Sequence, residues 1–332
     1  MGIISVKQDL GIPKYKQIIQ SVEDGLKDGR LKKGDKLPSV NSIKNQFSLS
    51  RDTIFMAFGE LKNRGIIESV AGKGYYIKSE DVKITQKVFL LFDELNAFKD
   101  VLYNSFLTFL EPTVQVDIFF HHFNRQVFEK HINDNAGNYH YYVIMPANLE
   151  KTNQVIKVLP TDKTYILDQT HPELSAYSSI YQNFETDIFN SLIKASPLLK
   201  KYQTIILLFP NKKQPMGMLK GFEKFKKATN MSCDVIDSLQ ERRFGKGEVY
   251  LILDDSDLIY FIKSMKDQQL VLGEDIGVIS YNETLLKEVV EGGITTISTD
   301  FKAMGKRLAQ MITNNEQGHI ENPHDLILRN SL

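Results

Sequence analysis

The sequence predicts an α/β protein in two unequal parts, an N-terminal winged helix-turn-helix and a larger two-lobed body built on parallel sheets. Three observations carry this. The first 78 residues place three amphipathic helical stretches ahead of two short β-prone runs. From residue 87 onward, apolar strand-like runs alternate with helical stretches on short connections, the pattern of parallel sheets covered by helices. Charge divides at the same place: residues 1–78 carry 14 Lys and Arg against 8 Asp and Glu, the remainder 27 against 33, although the whole chain sums to zero. A basic segment joined to an acidic one is what separate partners for two domains produce.

A chain of 332 residues is too long for one ordinary core. Hydrophobic residues at 42 % and charged residues at 25 % fit a soluble globular protein. No apolar run approaches the ~20 residues that a membrane span requires, so no membrane partner is expected. The start, "MGIISVKQDLG", has neither a long apolar core nor a small-residue cleavage pattern, and Val6 stands where myristoylation needs Ser or Thr. The single cysteine, Cys233, excludes an internal disulfide and suits a reducing, cytoplasmic setting.

The first domain is assigned to residues 1–78. Pro13 opens a run in which Tyr15, Ile18, Ile19, Val22 and Leu26 recur at three- and four-residue steps until Gly29, predicting a helix with a glycine stop. Ser39 caps a second, short helix with Ile43 and Phe47 on one face; Ser50 caps a third, with Asp52 in its electropositive first turn and Ile54, Phe58 and Leu61 as its buried stripe. Two short helices across a tight turn form a helix-turn-helix. Arg51, Asp52, Thr53 and Phe55 are not needed for the stripe, which frees them for base edges or phosphates in a major groove.

"GIIESV" and "YYIKS" then read as a hairpin joined by Ala71-Gly72-Lys73-Gly74. A loop cradling a nucleotide phosphate needs a helix after it and wider glycine spacing; here a β-prone run follows. Gly72 and Gly74 instead let the hairpin turn tightly and approach a DNA groove, where Lys73 meets a phosphate or the minor-groove edge. Ser39 and Tyr75, flanking the second helix and the hairpin tip, complete the candidate DNA-contacting set.

Residues 13–77 resemble, along their whole length, the DNA-binding domain of the GntR family of bacterial transcription regulators. The landmarks are "P-K-Y", "G-R-L-K-K-G-D-K-L-P-S", "S-L-S-R-D-T", "E-L-K-N-R-G-I-I" and "G-K-G-Y-Y-I". The resemblance implies that positions matching Asn41, Ser50, Arg51 and Thr53 contact double-stranded operator DNA. Asn41 stands where the family usually has arginine, and Phe55 where another arginine is common, which implies an operator unlike the commonest one.

"SEDVKITQ", residues 79–86, is polar and reads as a linker. The body, 87–332, contains strand-like "KVFLLFD", "VQVDIFF", "YYVIMPA", "TYILDQ", "TIILLFP", "CDVID", "EVYLILD" and "DIGVISY". In open sheets of this kind ligands bind beyond the carboxyl ends of the strands, which here are Asp93, His121, Met145, Asp168, Asp254 and Tyr281. The stretch 248–332, with "LILDDSD", "DIGVISYNE", "ISTDF" and "LILRNSL", is similar to the effector domain of LacI-type regulators and periplasmic sugar-binding proteins; from 87 to 247 the likeness is mainly topological. The resemblance implies a small-molecule effector, a sugar by family expectation, contacted by Asp254, Asn282 and Phe301, and on the first lobe by Asp93, Gln169 and Asn183. The arginine of the family's "R-x-x-G-F" is Met218 here, which implies a less polar ligand or a different grip. Lobe 1 is assigned to about 87–198 and 300–319 and lobe 2 to about 203–295 and 323–332, with crossings near 197–203, 293–300 and 319–323. Three crossings make a hinge that a ligand closes. A homodimer on a partly palindromic operator is expected, its affinity linked to lobe closure.

The competing reading is a catalytic α/β domain tethered to DNA. Asp254, Asp255 and Asp257 crowd together, yet lack the glycine and distant glutamate of a calcium loop, and a strand followed by Asp is more simply a helix cap. His121 and His122 alternate across a strand and have no HExxH or cysteine partner. Cys233 shows no activating neighbours and reads as a small buried residue. No GxSxG elbow, P-loop or pyridoxal-phosphate lysine motif is present. No catalytic residue, metal or cofactor is therefore assigned.

Overall fold

A computed structural model describes residues 2–79, 86–210 and 214–332. The linker expected at 79–86 falls mostly on 80–85, outside the described residues. The chain divides into two compact units: 1–92 with 111–144 and 151–165, and 93–110 with 145–150 and 166–332.

The winged helix forms as the sequence predicts. Helix α1 (Lys14–Lys27) buries Ile18, Ile19 and Val22; α2 (Val40–Phe47) buries Ile43; α3 (Arg51–Asn63) buries Ile54, Ala57, Phe58 and Leu61. Ser39 and Ser50 cap α2 and α3, accepting from the N–H of Ser42 and of Thr53, each at 3.1 Å. Strands β1 (Ile67–Val70) and β2 (Gly74–Ile77) form the antiparallel wing, Val70 opposite Gly74. Leu37 N–H donates to the Tyr75 carbonyl and Ile77 N–H to the Asp35 carbonyl, so the segment before α2 adds a third rung. One apolar core joins these pieces.

The body continues with β3 (Lys87–Phe92), α4 (Ala97–Phe109), β4 (Gln115–Phe120), α5 (Arg125–Asn135), β5 (Tyr141–Ile144), α6 (Asn153–Ile156), β6 (Thr164–Asp168) and β7 (Ser178–Tyr181). Next come α7 (Phe184–Leu199), β8 (Thr204–Leu208), α8 (Met216–Ala228), β9 (Ser232–Ile236), β10 (Glu248–Ile252) and α9 (Asp255–Asp267). The chain closes with β11 (Ile276–Tyr281), α10 (Leu285–Val289), β12 (Thr295–Thr299), α11 (Phe301–Thr313), β13 (His319–Glu321) and β14 (His324–Ile327). Two six-stranded sheets result, β13-β7-β6-β5-β3-β4 and β14-β12-β11-β10-β8-β9. Within the second, β8–β12 pair in parallel and only β14 is antiparallel. The central strands are buried on both faces, which explains their continuous apolar runs.

The chain passes between the sheets three times. Two passages lie at 300 and at 322–323. The first lies at 182–183, between β7 and α7, and not at 197–203. The apolar stripe of α7, Ile188, Leu192, Ala195 and Leu199, packs with Ile205 and Leu207 of β8 and Phe222 of α8. Helix α7 therefore covers the second sheet, and its internal Pro197 marks no boundary. Buried Asn322 ties the three passages together. Its N–H donates to the Tyr181 carbonyl at 2.8 Å, and its side-chain amide donates to Thr299 Oγ1 at 2.8 Å and to the Asp300 carbonyl at 3.0 Å. Asn322→Ala removes the side-chain donor from buried Thr299 Oγ1 and is expected to cost about 1–3 kcal/mol, read as a lower midpoint in urea unfolding.

Candidate functional site

The winged helix presents a polar reading edge. Asn41, Arg51, Asp52, Phe55 and Lys73 are exposed. Arg51 Nη2 donates to Asn41 Oδ1 at 3.0 Å, so the first turns of α2 and α3 lie side by side and the guanidinium is held by a neutral amide. Ser50 and Thr53 are less free, their hydroxyls sharing a hydrogen bond of 2.8 Å. Phe55, 48 % exposed, leaves the α3 core to Ile54, Ala57, Phe58 and Leu61. At the wing tip Lys73 N–H donates to the Val70 carbonyl at 2.9 Å, and Gly72 and Gly74 take φ of 72° and 110°, values that a side chain disfavours. Tyr75 differs from its neighbours: its ring lies 4.6 Å from Phe58, which makes it half-buried and part of the wing's attachment.

The second candidate region is a cavity of about 750 Å³ where the chain first changes sheet. It is lined by Asn148, Gln169, His171, Asn183, Gln214 and Lys220, among others, and its volume suits a small ligand. Gln169 Nε2 donates to Asn148 Oδ1 at 2.6 Å, and Asn148 Nδ2 donates to the Gln214 carbonyl at 3.1 Å. Asn183 caps α7 through Thr186 N–H and donates to Glu321 Oε2 at 2.9 Å. His171 Nε2 lies 2.7 Å from the Ala147 carbonyl, which requires the proton on Nε2. Ala147, Asp168 and Asn282 hold positive φ, 49°, 72° and 61°, each at or just beyond a strand's carboxyl end. Such strain is concentrated where loops are shaped for function.

Beneath this cavity lies a buried charge cluster. Lys99 and Asp93, both nearly inaccessible, form a direct ion pair. Gln182 lines the cavity, donates through Nε2 to Asp168 and accepts from the Tyr281 hydroxyl at 3.1 Å. Burial pushes the Asp168 carboxyl up; the charge of Lys99 and the hydrogen bond from Gln182 oppose this, while Asp93 adds to it. Burial also pushes the Tyr281 hydroxyl well up, with Asp187 and Asp168 adding to it.

Of the six expected effector residues, the structure gathers only Gln169 and Asn183 on the cavity wall. Asp93 is committed to Lys99 and is not part of the cavity wall. Asp254 caps α9, accepting from Ser256 N–H at 2.8 Å, and its neighbour Asp255 is paired at 2.8 Å with buried Lys287. This is the helix-cap arrangement. Phe301 lies against Phe98, centroids 4.8 Å apart, and lines a different groove. At the end of β11, Asn282 keeps a buried Oδ1 that has no donor among the described residues. Met218 is 3 % exposed in the second sheet's core, so α8 offers the cavity Met216, Gly217 and Lys220 instead.

Sequence reasoning missed Asn148, His171, Gln182, Lys99 and Lys220. Gln182 had a visible signal, a glutamine between a strand end and the Asn183 cap. Nothing local marks Lys99 as turning inward. Among the described residues no group of three His, Cys, Asp or Glu side chains is placed to hold a metal ion, and no helix is long and apolar enough to cross a membrane.

Residues 14–77 match the family model "Bacterial regulatory proteins, gntR family". The HTH-type transcriptional repressor YtrA of Bacillus subtilis is 39 % identical over 83 residues, 25 % of this chain and 63 % of that protein. The mannosyl-D-glycerate transport/metabolism system repressor MngR of Escherichia coli is 35 % identical over 82 residues, 25 % of this chain and 34 % of that one. The chain thus spans less than two thirds of either relative. Among solved structures, the trehalose repressor from Escherichia coli aligns with a TM-score of 0.61 at 13 % identity, covering 73 % of this chain and 100 % of that one; the lactose repressor aligns with a TM-score of 0.62 at 15 % identity, covering 74 % and 99 %. At these identities the likeness speaks for the fold. The chain joins a GntR-type winged helix-turn-helix to a body with the fold of LacI-type regulators.

Proposed function

We propose that this chain is a ligand-responsive transcription regulator: the GntR-type winged helix reads operator DNA, and a small molecule bound between the two sheets of the body controls that reading. The observation that carries the proposal is the pairing, in one polypeptide, of an exposed Asn41–Arg51 reading edge with a polar cavity at a chain crossing. A ligand that prefers one arrangement of the crossings shifts the protein toward it, and operator affinity follows by linkage.

The cavity's chemistry favours a monosaccharide or sugar derivative. Its wall is rich in amides, Asn148, Gln169, Gln182, Asn183 and Gln214, which pair with hydroxyl groups. The matched repressors named for trehalose and mannosyl-D-glycerate agree with this class. The protein acts in the cytoplasm as a homodimer. Leu285, Leu286 and Val289 of α10 are 83, 60 and 71 % exposed, and Leu285 shares a groove of about 420 Å³ with Val101 of α4; a second copy covering this surface supplies the two-fold symmetry of a palindromic operator. The body has no catalytic role in this reading.

Selection of duplexes by the full chain from a random-sequence pool tests the DNA half of the proposal. Recovery of one palindromic motif is the expected result; failure to enrich any sequence overturns it. On the enriched duplex, Lys73→Ala is expected to lower affinity and to flatten the slope of log affinity against log salt by about one unit. An unchanged slope reduces the wing tip to a plain hairpin turn.

A further inference from the structure

The winged helix is fitted to the body along α1, all within the first compact unit. Gly11 N–H donates to the Val158 carbonyl at 3.2 Å, and a Cβ at Gly11 would lie 2.8 Å from Val158 Cβ. Across the same contact a Cβ at Gly137 would lie 2.7 Å from Ile12 Cγ2. Two glycines therefore permit a backbone approach that any side chain would block. Lys16 Nζ donates to Asn138 Oδ1, and Lys163 lies 3.9 Å from Asp24 and over the Tyr141 ring at 5.0 Å.

At the centre is Glu23, 4 % exposed on α1. One carboxylate oxygen pairs with Arg64, the residue that ends α3, and the other faces His140 Nε2 at 3.4 Å. His140 in turn accepts from Lys87 N–H through Nδ1 at 3.1 Å and donates its own N–H to the Lys87 carbonyl at 2.9 Å, at the start of β3. Burial would raise the Glu23 carboxyl, but His140 and the Arg64 charge outweigh it and hold it below its ordinary range. A buried carboxylate thus joins the far end of the reading helix to the first strand of the body. The reading edge, Asn41, Arg51 and Lys73, stays exposed in this docked arrangement.

We propose that the winged helix is clasped to the body through the Gly11–Val158 and Glu23–His140 contacts, and that this clasp lets the body fix the direction of each reading helix in the dimer. Glu23 and His140 are positioning residues in this account. The inference rests on the DNA-reading function proposed above. Its signature is half-site spacing: clasped heads tolerate one spacing, whereas heads free on a linker reach many.

The test uses the full chain and the duplex it selects from a random pool, alongside the same duplex lengthened by about 5 base pairs, half a turn, between half-sites. For the natural chain the insertion is expected to weaken binding by about tenfold or more. In Gly11→Val, which wedges the interface, and in His140→Ala, which removes its ring, the two duplexes are expected to bind within about threefold of each other. Equal tolerance in the natural chain, or an undiminished spacing penalty in both variants, overturns the clasp. If no duplex is enriched at all, the proposed function fails first and the clasp falls with it.

Discussion

Replacing Lys99 with Met is expected to destabilise the body by about 3–5 kcal/mol, the usual consequence of removing one partner of a buried ion pair. Lys99 and Asp93 are paired and nearly inaccessible, and Lys99 also opposes the upward push that burial gives Asp168. Without the ammonium, Asp93 loses its ion-pair partner and Asp168 the charge that opposes its upward shift. For a unit of this size the loss corresponds to a melting temperature lower by on the order of 10 °C. The pH dependence has a definite sign. A carboxyl whose folded pKa lies above its unfolded value weakens the fold at neutral pH and stops doing so as pH falls through the folded value. Lys99→Met should therefore regain stability between neutral and mildly acid pH relative to the natural chain. Adding Asp93→Asn removes one uncompensated charge and should recover part of the loss. Thermal unfolding of the three proteins across pH checks this; a Lys99→Met variant as stable as the natural chain at neutral pH contradicts the buried-pair account.

Arg51→Ala is expected to weaken binding to the selected duplex by about 5- to 150-fold, the worth of one good base contact, with a larger loss for the selected sequence than for random DNA. Arg51 is exposed in the first turn of α3, and its recorded side-chain contact is with Asn41 Oδ1. Its removal should leave the melting temperature nearly unchanged, because surface substitutions away from caps and cores shift stability by about 0.5 kcal/mol or less. Asn41→Ala should give a smaller loss, since Asn41 orients the guanidinium as well as facing the DNA. Gel-shift titration alongside thermal unfolding separates the two effects. Equal weakening on selected and random duplexes reassigns Arg51 to the phosphate backbone.

The winged helix was legible almost entirely in the sequence because its signals are local. Ser39 and Ser50 announce their helices as caps, the Ile54–Phe58–Leu61 stripe repeats at helical spacing, and the Gly72–Gly74 turn sits between two β-prone runs. Every one of these is read within a few residues. The parallel sheets were legible as apolar runs. The first crossing was misplaced because the stripe of α7, Ile188 to Leu199, gives its period but not which sheet it covers. The cavity was only partly legible for the same reason. Gln169 and Asn183, which stand beside strand ends, lie on the cavity wall. Asn148, Gln214 and Lys220 join them only through folding that brings together segments tens of residues apart. Asp254 illustrates the converse: a residue at a strand end, adjacent to two more aspartates, whose work is to cap α9 beside the Asp255–Lys287 pair.

The central claim is that a ligand in the cavity beside Gln169 and Asn183 alters how the Arg51 edge binds DNA. The most direct measurement is the affinity of the full chain for its selected duplex, by fluorescence anisotropy, with and without each member of a panel of monosaccharides and disaccharides. At least one sugar is expected to change that affinity by about 5-fold or more, the ordinary range of allosteric coupling, and the change should vanish in Gln169→Ala while DNA affinity without sugar stays the same. A duplex affinity that no sugar moves, or a sugar converted to product during the titration, contradicts the account.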